Sequence, residues 1–264
     1  MTVTDQLDRQ MQLPDPPQRI VSIVPSQTEL LYDLGLRDEV VGITRFCVHP
    51  TEWHRGGKVH VGGTKDVDVE AVLGLAPDLV IAAKEENTRD TVEALRAHVP
   101  VWVSDVTDLL SALDMVREVG VAVGRGGEAN ALANRIAEGF QAVRALRARL
   151  DRTERVAYLI WRRPWMAAGR DTFIDAMLTE CGWTNVFADA EGRYPEFSES
   201  ELAEREPDRV LLSSEPYPFK ERHIASVQAL VPQARVEVVD GELFSWYGSR
   251  LEKSPMYLKG LMAS

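Results

Sequence analysis

The chain has 264 residues, of which 45% are hydrophobic, and a formal net charge of −11 at pH 7. That size and apolar content predict a globular protein with one large core or two modest cores. The acidic balance argues against a nucleic-acid-binding protein, because affinity for phosphate backbones comes from clustered lysines and arginines. No apolar run approaches the roughly 20 residues of a membrane-spanning helix, so we expect a chain that is not inserted in a membrane.

The first residues of the chain bear on its compartment. Met1 to Gln10 carry acids where a secretion signal has basic residues, and no apolar segment follows them. On this evidence we expect a cytoplasmic protein. A periplasmic or extracellular protein whose signal has been removed is the alternative.

Residues 1–107 alternate short strands with short helices, which predicts an N-terminal α/β lobe with a parallel sheet. The strand Arg19 to Val24 comes first, and a turn opens a helix from Leu30 to Leu34. Ser26 or Thr28 is expected to cap that helix, and Gly35 to end it. Further strands are predicted at Val40 to Ile43, Leu79 to Ala82 and Val101 to Val103, with helical pieces near 67–75 and 88–98.

Residues 108–150 are rich in Ala, Leu, Arg and Glu, which predicts a helical linker of two helices, the second near Glu128 to Leu150. Residues 151–264 then predict a C-terminal α/β lobe, in which Cys181 is expected to be buried at a helix end. Its predicted elements are strands at Val156 to Ile160 and near 210–213 and 236–239, and a closing helix from Ser254 to Met262.

One pattern occurs twice, about 130 residues apart, in Val69 to Ile81 and in Ser200 to Leu212. In each copy a short helix stops at a Pro-Asp turn and a buried strand follows, because proline disfavours the helical conformation in the residue before it. The repeat predicts two related α/β lobes. A cleft between them is the expected place for a small ligand.

The chain resembles the helical-backbone substrate-binding proteins (class III, cluster A), whose members bind cobalamin, siderophores, haem or metal ions for ABC importers. The resemblance runs from about Pro17 to the C-terminus. It rests on Arg19-Ile20-Val21-Ser22-Ile23-Val24-Pro25-Ser26, Thr28-Glu29-Leu30-Leu31, Val40-Val41-Gly42-Ile43-Thr44, the two Pro-Asp repeats and the long helix between them. It implies two Rossmann-like lobes with parallel sheets joined by a long backbone helix. It also implies a monomer that holds one corrinoid, siderophore or metal chelate without catalysis.

Members of this family dock on an ABC permease through one surface glutamate in each lobe. Glu70 matches the first of these positions. The second position falls at Ser200, with glutamates displaced to Glu199 and Glu201. We take Glu70 and Glu201 as the predicted docking residues.

The loops after the predicted strands are the expected ligand-binding surface, because ligands of open α/β sheets bind beyond the carboxyl ends of the strands. These loops are rich in aromatic residues and arginines, which favours an anionic or polar, partly flat ligand. Arg162→Ala and Arg250→Ala are therefore expected to weaken binding without unfolding the protein. The candidate residues are Arg45, Phe46, Cys47, Lys65, Lys84 and Glu85 in the first lobe, and Trp161, Arg162, Trp165, Glu215, Tyr217, Trp246, Tyr247 and Arg250 in the second.

Two more specific ligands fit part of the pattern. Cys47 and His49 offer a thiolate and an imidazole that suit a transition metal, and the remaining ligands would come from His54, Glu85, Glu86, Glu215 or His223. For cobalamin, the aromatic positions of the cobalamin-binding relatives fall at Phe46, His49 and Thr64. Tyr247 and Arg250 keep an aromatic and an arginine, so a corrinoid remains open.

Two alternatives to an importer component also remain open. An enzyme would use the carboxylates of Lys84-Glu85-Glu86 for acid–base chemistry, although the chain has no nucleophile elbow, P-loop or dinucleotide fingerprint. A cytoplasmic metal- or cofactor-binding carrier or sensor on the same fold is the second alternative.

Overall fold

The computed structural model describes residues 1–150 and 153–264, and the chain divides into two compact units. Unit 1 contains Met1–Val106, Leu110–Ala137 and Trp246–Glu252, and unit 2 contains Thr107–Leu109, Glu138–Ser245 and Lys253–Ser264. Asp151, where the sequence analysis begins the C-terminal lobe, and Arg152 lie outside the described residues. The predicted division at residues 107 and 150 stays a prediction.

Unit 1 starts with an antiparallel hairpin of β1 (Thr2–Thr4) and β2 (Gln10–Gln12), which the sequence analysis did not predict. A five-stranded parallel sheet follows, in the order β5-β4-β3-β6-β7. Its strands are β3 (Ile20–Ser22), β4 (Val40–Ile43), β5 (Val59–His60), β6 (Leu79–Ala83) and β7 (Val101–Ser104). The helices are α1 (Pro25–Asp33), α2 (Val69–Gly74), α3 (Arg89–Arg96), α4 (Leu109–Ala122) and α5 (Gly126–Arg147), and a π-helical turn covers Trp53–Gly57.

Helix α1 begins five residues earlier than the sequence analysis predicted, at Pro25. Proline suits this first position because its fixed φ is already helical and its missing N–H would have no partner there. The expected caps, Ser26 and Thr28, were wrong: both lie inside the helix, and Val24 occupies the cap position without a side-chain bond. Gly35 follows the helix with φ of +83°, so the predicted end is confirmed.

Unit 2 contains a six-stranded mixed sheet. Strand β8 (Arg155–Arg162) pairs in parallel with β12 (Arg209–Ser213), which pairs in parallel with β13 (Arg235–Val239). The other edge is antiparallel, because the chain turns back directly after Arg162. The remaining elements are β9 (Trp165–Ala167), β10 (Thr184–Asn185) and β11 (Glu196–Phe197), with helices α6 (Phe173–Glu180), α7 (Glu199–Glu204), α8 (Ile224–Gln228), α9 (Glu242–Ser245) and α10 (Ser254–Met262).

The two Pro-Asp repeats have the same structure, as predicted. The carboxylate of Asp78 accepts the backbone N–H of Arg19 at 3.0 Å, and that of Asp208 accepts the N–H of Arg155 at 2.9 Å. The two arginine side chains in turn donate to the carbonyls of the residues that directly follow α2 and α7, Leu75 and Arg205. Each aspartate therefore fixes the start of a neighbouring strand, at the residue before β3 and at the first residue of β8, and each arginine caps the helix before the turn.

The predicted α/β class is confirmed. The sheet of unit 1 is parallel as predicted, whereas that of unit 2 has an antiparallel edge that was not predicted. Helix α5 is the long helix through which the chain passes from unit 1 to unit 2. Cys181 is buried at the end of α6, as predicted. Each unit has an apolar core under its sheet, built on strands such as β6 and β12 whose residues are all buried. None of the helices in the described part of the chain combines the length and apolar character needed to cross a bilayer.

Candidate functional site

Asn87 organises the carboxyl edge of the sheet in unit 1. Its side-chain oxygen accepts the N–H of Ala83 at 2.9 Å, and its amide donates to the carbonyls of Ile23 at 3.2 Å and Thr64 at 2.9 Å. One buried side chain thus ties together the loops that follow three strands. Asn87 was not among the predicted site residues.

The thiol of Cys47 is fully buried beneath this edge. The Oγ1 of Thr28 donates to its sulfur at 3.1 Å, and the Oγ1 of Thr44 lies 3.2 Å from it. Burial raises the pKa of the Cys47 thiol, which opposes the thiolate form that a metal ion requires. Cys47 is therefore part of the wall under the edge rather than an exposed ligand-binding group.

His49, the second residue of the predicted metal pair, packs against an aromatic ring. The imidazole of His49 packs edge-on against the ring of Trp246, with centres 5.6 Å apart. Across residues 1–150 and 153–264, no three His, Cys, Asp or Glu side chains come together in a group suited to a metal ion. The buried, hydrogen-bonded thiol argues against this hypothesis.

The other candidates of unit 1 lie in the loops after β4, β5 and β6. The Phe46 ring is 51% exposed, and the guanidinium of Arg45 lies 5.3 Å from its centre while pairing with Asp66. The remaining contacts are Lys65 Nζ to the carbonyl of Glu85 at 2.6 Å and Lys84 Nζ to the carboxylate of Asp105 at 2.6 Å. Arg45 and Phe46 thus form the exposed aromatic surface of this edge.

Glu86 lies among these loops, and its surroundings raise the pKa of its carboxyl group. The loss of solvent around its carboxyl group raises the pKa of Glu86, and the nearby charge of Glu85 acts in the same direction. Lys65 and the hydroxyl of Thr64 oppose the rise without cancelling it. Glu86 therefore retains its proton to a higher pH in the folded protein than in the unfolded chain.

This shift predicts a pH-dependent effect of Glu86→Gln. Between the unfolded and the raised folded pKa of Glu86, the folded state binds more protons, so the parent loses stability as the pH rises through that window. Gln does not ionise, so its burial carries no cost that grows with pH. The free energy of unfolding of the variant should therefore equal that of the parent near pH 4 and exceed it at pH 7. Urea denaturation across this range measures the difference. The exposed Glu70→Gln is the matched control, and a constant difference between Glu86→Gln and parent would contradict the prediction.

The segment Trp246–Glu252 belongs to unit 1, whereas the sequence analysis assigned Trp246, Tyr247 and Arg250 to the second lobe. The guanidinium of Arg250 donates two parallel hydrogen bonds of 2.7 Å to the carboxylate of Glu29 in α1, and both side chains are about one-tenth exposed. Trp246 and Tyr247 are buried as well. The assignment of these residues to the second lobe therefore differs from the structure, because Arg250 is held by an acid of unit 1 that lies far away in the sequence. Their role in ligand binding stays a prediction.

In unit 2, a platform of parallel rings stands beside the turn between β8 and β9. The Trp165 ring stacks on Phe197 at 6.2 Å and on Phe219 at 6.3 Å between centres. The guanidinium of Arg162 lies 5.7 Å from the Trp165 ring centre. An open groove of about 460 Å³ lies here, lined by Arg162, Arg163, Pro164, Trp165, Phe197 and Glu199.

The other candidates of unit 2 surround this platform. The Trp161 ring is 38% exposed and packs edge-on against Tyr217 at 5.6 Å. Tyr217 in turn contacts Phe219 at 4.7 Å. The carboxylate of Glu215 accepts a hydrogen bond from Ser245 at 2.6 Å. The structure therefore brings Trp161, Arg162, Trp165 and Tyr217 together around one aromatic cluster.

The docking candidates differ in how their carboxylates are held. Glu70 is exposed in the first turn of α2. The carboxylate of Glu201 is paired with Arg205 at 2.9 Å, while the exposed Glu199 accepts a hydrogen bond from the indole of Trp165 at 3.2 Å. The assignment of Glu70 and Glu201 to docking stays a prediction.

Several residues of these surfaces were not among the predicted site residues: Glu29, Asn87, Arg163, Pro164, Phe197, Glu199 and Phe219. Phe197 carried a weak signal, since an aromatic residue preceding the Ser198 cap of α7 is a common helix-start pattern. Glu29 and Asn87 act through contacts with distant residues, which no local pattern shows.

Two α/β units with aromatic rings and arginines at their sheet edges fit the class of solute-binding proteins. The chain belongs to the periplasmic binding protein family, whose family model matches residues 20–233. It is 27% identical over 260 residues to the uncharacterized ABC transporter substrate-binding lipoprotein YvrC of Bacillus subtilis, covering 95% of this chain and 82% of that protein. It is 28% identical over 203 residues to the vitamin B12-binding protein of Yersinia pestis, covering 74% of this chain and 69% of that protein.

Among solved structures, the periplasmic vitamin B12 binding protein BtuF of Vibrio cholerae matches with a TM-score of 0.81. It is 21% identical and the match covers 95% of this chain and 98% of that chain, so the likeness is one of fold. The predicted family and the expectation of a binding protein rather than an enzyme are thereby confirmed.

The predicted cytoplasmic location was wrong. The family is one of periplasmic binding proteins, and the relative in B. subtilis is a lipoprotein. The prediction rested on the character of the first residues, and such residues do not determine the compartment of a protein whose export signal can be removed.

Proposed function

We propose that this chain is the extracytoplasmic solute-binding protein of an ABC importer, and that its ligand is a flat compound with acidic groups. The family supports the first part, and the relative YvrC is named as an ABC transporter substrate-binding lipoprotein. The partner is then the permease of that importer. The second part rests on the side chains at the sheet edges.

The observation that carries the ligand class is an aromatic ring beneath an arginine in each unit. Arg45 lies over Phe46 in unit 1, and Arg162 lies over Trp165 in unit 2. In unit 2 the Arg162 guanidinium keeps its planar fork of donors for a carboxylate or phosphate, and in unit 1 the Phe46 ring, which is 51% exposed, offers apolar surface to a flat ligand. Arg45 and Phe46 follow the parallel strand β4, and Arg162 is the last residue of β8, so both arginines lie at the edge where open α/β sheets bind ligands. Trp165 lies on the antiparallel strand β9 directly after that edge.

The charge of the chain makes local cations necessary for binding an anionic ligand. A net charge of −11 repels an anionic ligand at long range, so its recognition needs local cations. Arg162 and Arg163 make no ion pair within the described residues, whereas Arg45 is paired with Asp66. The two guanidiniums at the groove of unit 2 therefore offer the anion-binding groups.

The residue at position 64 argues against cobalamin as the ligand. The cobalamin-binding relatives that the sequence resembles carry an aromatic residue at this position, which would pack on a large ring. Here Thr64 is buried, its carbonyl accepts from Asn87, and its hydroxyl bonds Glu86. The edge of unit 1 thus lacks that aromatic face, which supports a smaller or more acidic ligand.

Ligand titration tests the proposal. Haemin is a flat macrocycle with two carboxylates, and cyanocobalamin is a bulkier macrocycle rimmed with amides. We expect haemin to quench tryptophan fluorescence with one-to-one stoichiometry and at least tenfold higher affinity than cyanocobalamin. Native mass spectrometry of protein purified from its own host identifies any ligand that it retains.

The outcomes separate the two parts of the proposal. Tighter binding of cyanocobalamin would overturn the acidic-ligand class and leave the solute-binding function intact. Native protein that carries no ligand, together with no saturable binding of either macrocycle, would contradict both the ligand class and the assignment of the sheet edges.

A further inference from the structure

His54 and His60 form a pair of imidazoles at the edge of the sheet in unit 1. His60 is the last residue of β5, the strand at one edge of the sheet, and is exposed. His54 lies in the turn Trp53–Gly57 just before that strand. The two ring centres are 5.4 Å apart and the ring planes differ by 31°. Neither histidine lies among the contacts described for the ligand-binding surfaces.

This separation matches two imidazoles that share one metal ion. A ligating nitrogen lies about 2.1 Å from zinc and its ring centre about 1.1 Å further, so each centre is about 3.2 Å from the ion. Two such centres at the observed 5.4 Å subtend an angle of about 115° at the ion, near the tetrahedral value of about 109°. The distance between the two rings is therefore that of a shared ion.

A second observation concerns Nδ1 of His54. This atom is buried and has no hydrogen-bond partner in the structure. Buried polar atoms are nearly always paired, because an unpaired one loses its interaction with water without replacement. A cation bound at Nδ1 of His54 and shared with the His60 ring gives this nitrogen the polar partner that it lacks.

The turn that carries His54 is held in place by its neighbours. The Trp53 ring packs edge-on against Tyr32 at 5.2 Å, and the Lys58 ammonium lies 5.0 Å from the Trp53 ring centre. Lys58 also donates to the carbonyl of Arg37, so its charge is engaged by other groups. Gly57 leaves no space for a side chain, since an added Cβ would lie 2.6 Å from the carbonyl oxygen of Glu52. A fixed turn lowers the entropic cost of holding an ion.

We propose that His54 and His60 bind a divalent transition-metal ion. Imidazole nitrogens suit zinc, nickel and copper ions. No third His, Cys, Asp or Glu joins the pair among the described residues, so water completes the coordination and the ion stays exchangeable. The ion links the turn to β5 and so fixes an edge strand that has only two residues. This proposal does not depend on the identity of the transported ligand.

Calorimetric titration of the full, tag-free chain with NiCl₂ and with ZnCl₂, after treatment with a chelator, tests the site. We expect one ion per chain, with the affinity lowered at least tenfold in His54→Gln and equally in His60→Gln. The exposed His98→Gln in the same unit is the matched control and should bind as the parent does. Because both cysteines are buried, thiols do not compete for the ion.

Equal loss in both single variants distinguishes a shared site from adventitious binding to one histidine. His60 is exposed, so His60→Gln keeps the fold, and circular dichroism checks this for both variants. No saturable binding by the parent would overturn the proposal. Binding that survives either His54→Gln or His60→Gln would overturn it as well.

Discussion

Arg250→Ala is expected to lower the free energy of unfolding by about 3–5 kcal/mol, because it leaves a buried carboxylate without its partner. Arg250 makes two hydrogen bonds of 2.7 Å to Glu29, whose side chain is 9% exposed. Its guanidinium also lies 5.0 Å from the ring centre of Trp246. Urea denaturation measures the effect. The structure thus changes the expectation from the sequence, which was weaker ligand binding without a loss of stability.

A charge-free double variant separates the effect of the unpaired charge from the loss of packing. Glu29→Leu with Arg250→Met removes both charges and keeps apolar volume, so it should recover most of the stability lost in Arg250→Ala. Arg170, whose side chain is 68% exposed, provides the control: Arg170→Ala should change the stability by no more than about 0.5 kcal/mol. A cost of less than about 1 kcal/mol for Arg250→Ala would show that the pair does not hold the segment Trp246–Glu252 to α1.

The predicted elements that agree best with the structure are those with strong local signals. The strand Val40–Ile43 and the helix Ser254–Met262 match to the residue. The hairpin of β1 and β2 was missed because its residues are mostly polar and its anchoring is tertiary. The indole of Trp102, for example, donates to the carbonyl of Thr4 at 3.1 Å across 98 residues of sequence. Hydrophobic alternation and turn residues reveal elements with strong local signals. Elements that are held by tertiary contacts, such as the hairpin, are seen only in the folded chain.

The same distinction applies to the candidate site. The run of aromatic residues and arginines from Trp161 to Trp165 was visible in the sequence, and it lies at the groove of unit 2. The sequence did not show that the chain reverses within that run, so that Trp165 lies on a new antiparallel strand and reaches Phe197. Nor did it show that Arg250 meets Glu29, which is 221 residues away. Residue type was predictable, and the partner of each residue was not.

Substitution of the two arginines at the groove of unit 2 is expected to cause a large loss of ligand affinity. Arg162 lies over the Trp165 ring and Arg163 is exposed at the same turn, beside an open groove of about 460 Å³. A charged hydrogen bond to a ligand carboxylate contributes about 1.5–3 kcal/mol, which is roughly tenfold or more in affinity for each arginine. The double variant Arg162→Gln/Arg163→Gln should therefore weaken haemin binding by about 100-fold or more.

Fluorescence quenching by haemin measures this loss, and three comparisons make the result specific. Arg170→Gln, in the same unit and away from the groove residues, should bind haemin as the parent does. Arg162→Lys/Arg163→Lys should give an intermediate affinity, because lysine keeps the charge but lacks the planar fork of donors. The weak binding expected for cyanocobalamin should change little in the double glutamine variant, because amides do not need a cationic partner. Haemin bound with parental affinity by that variant would show that the anionic groups of the ligand are recognised elsewhere in the chain.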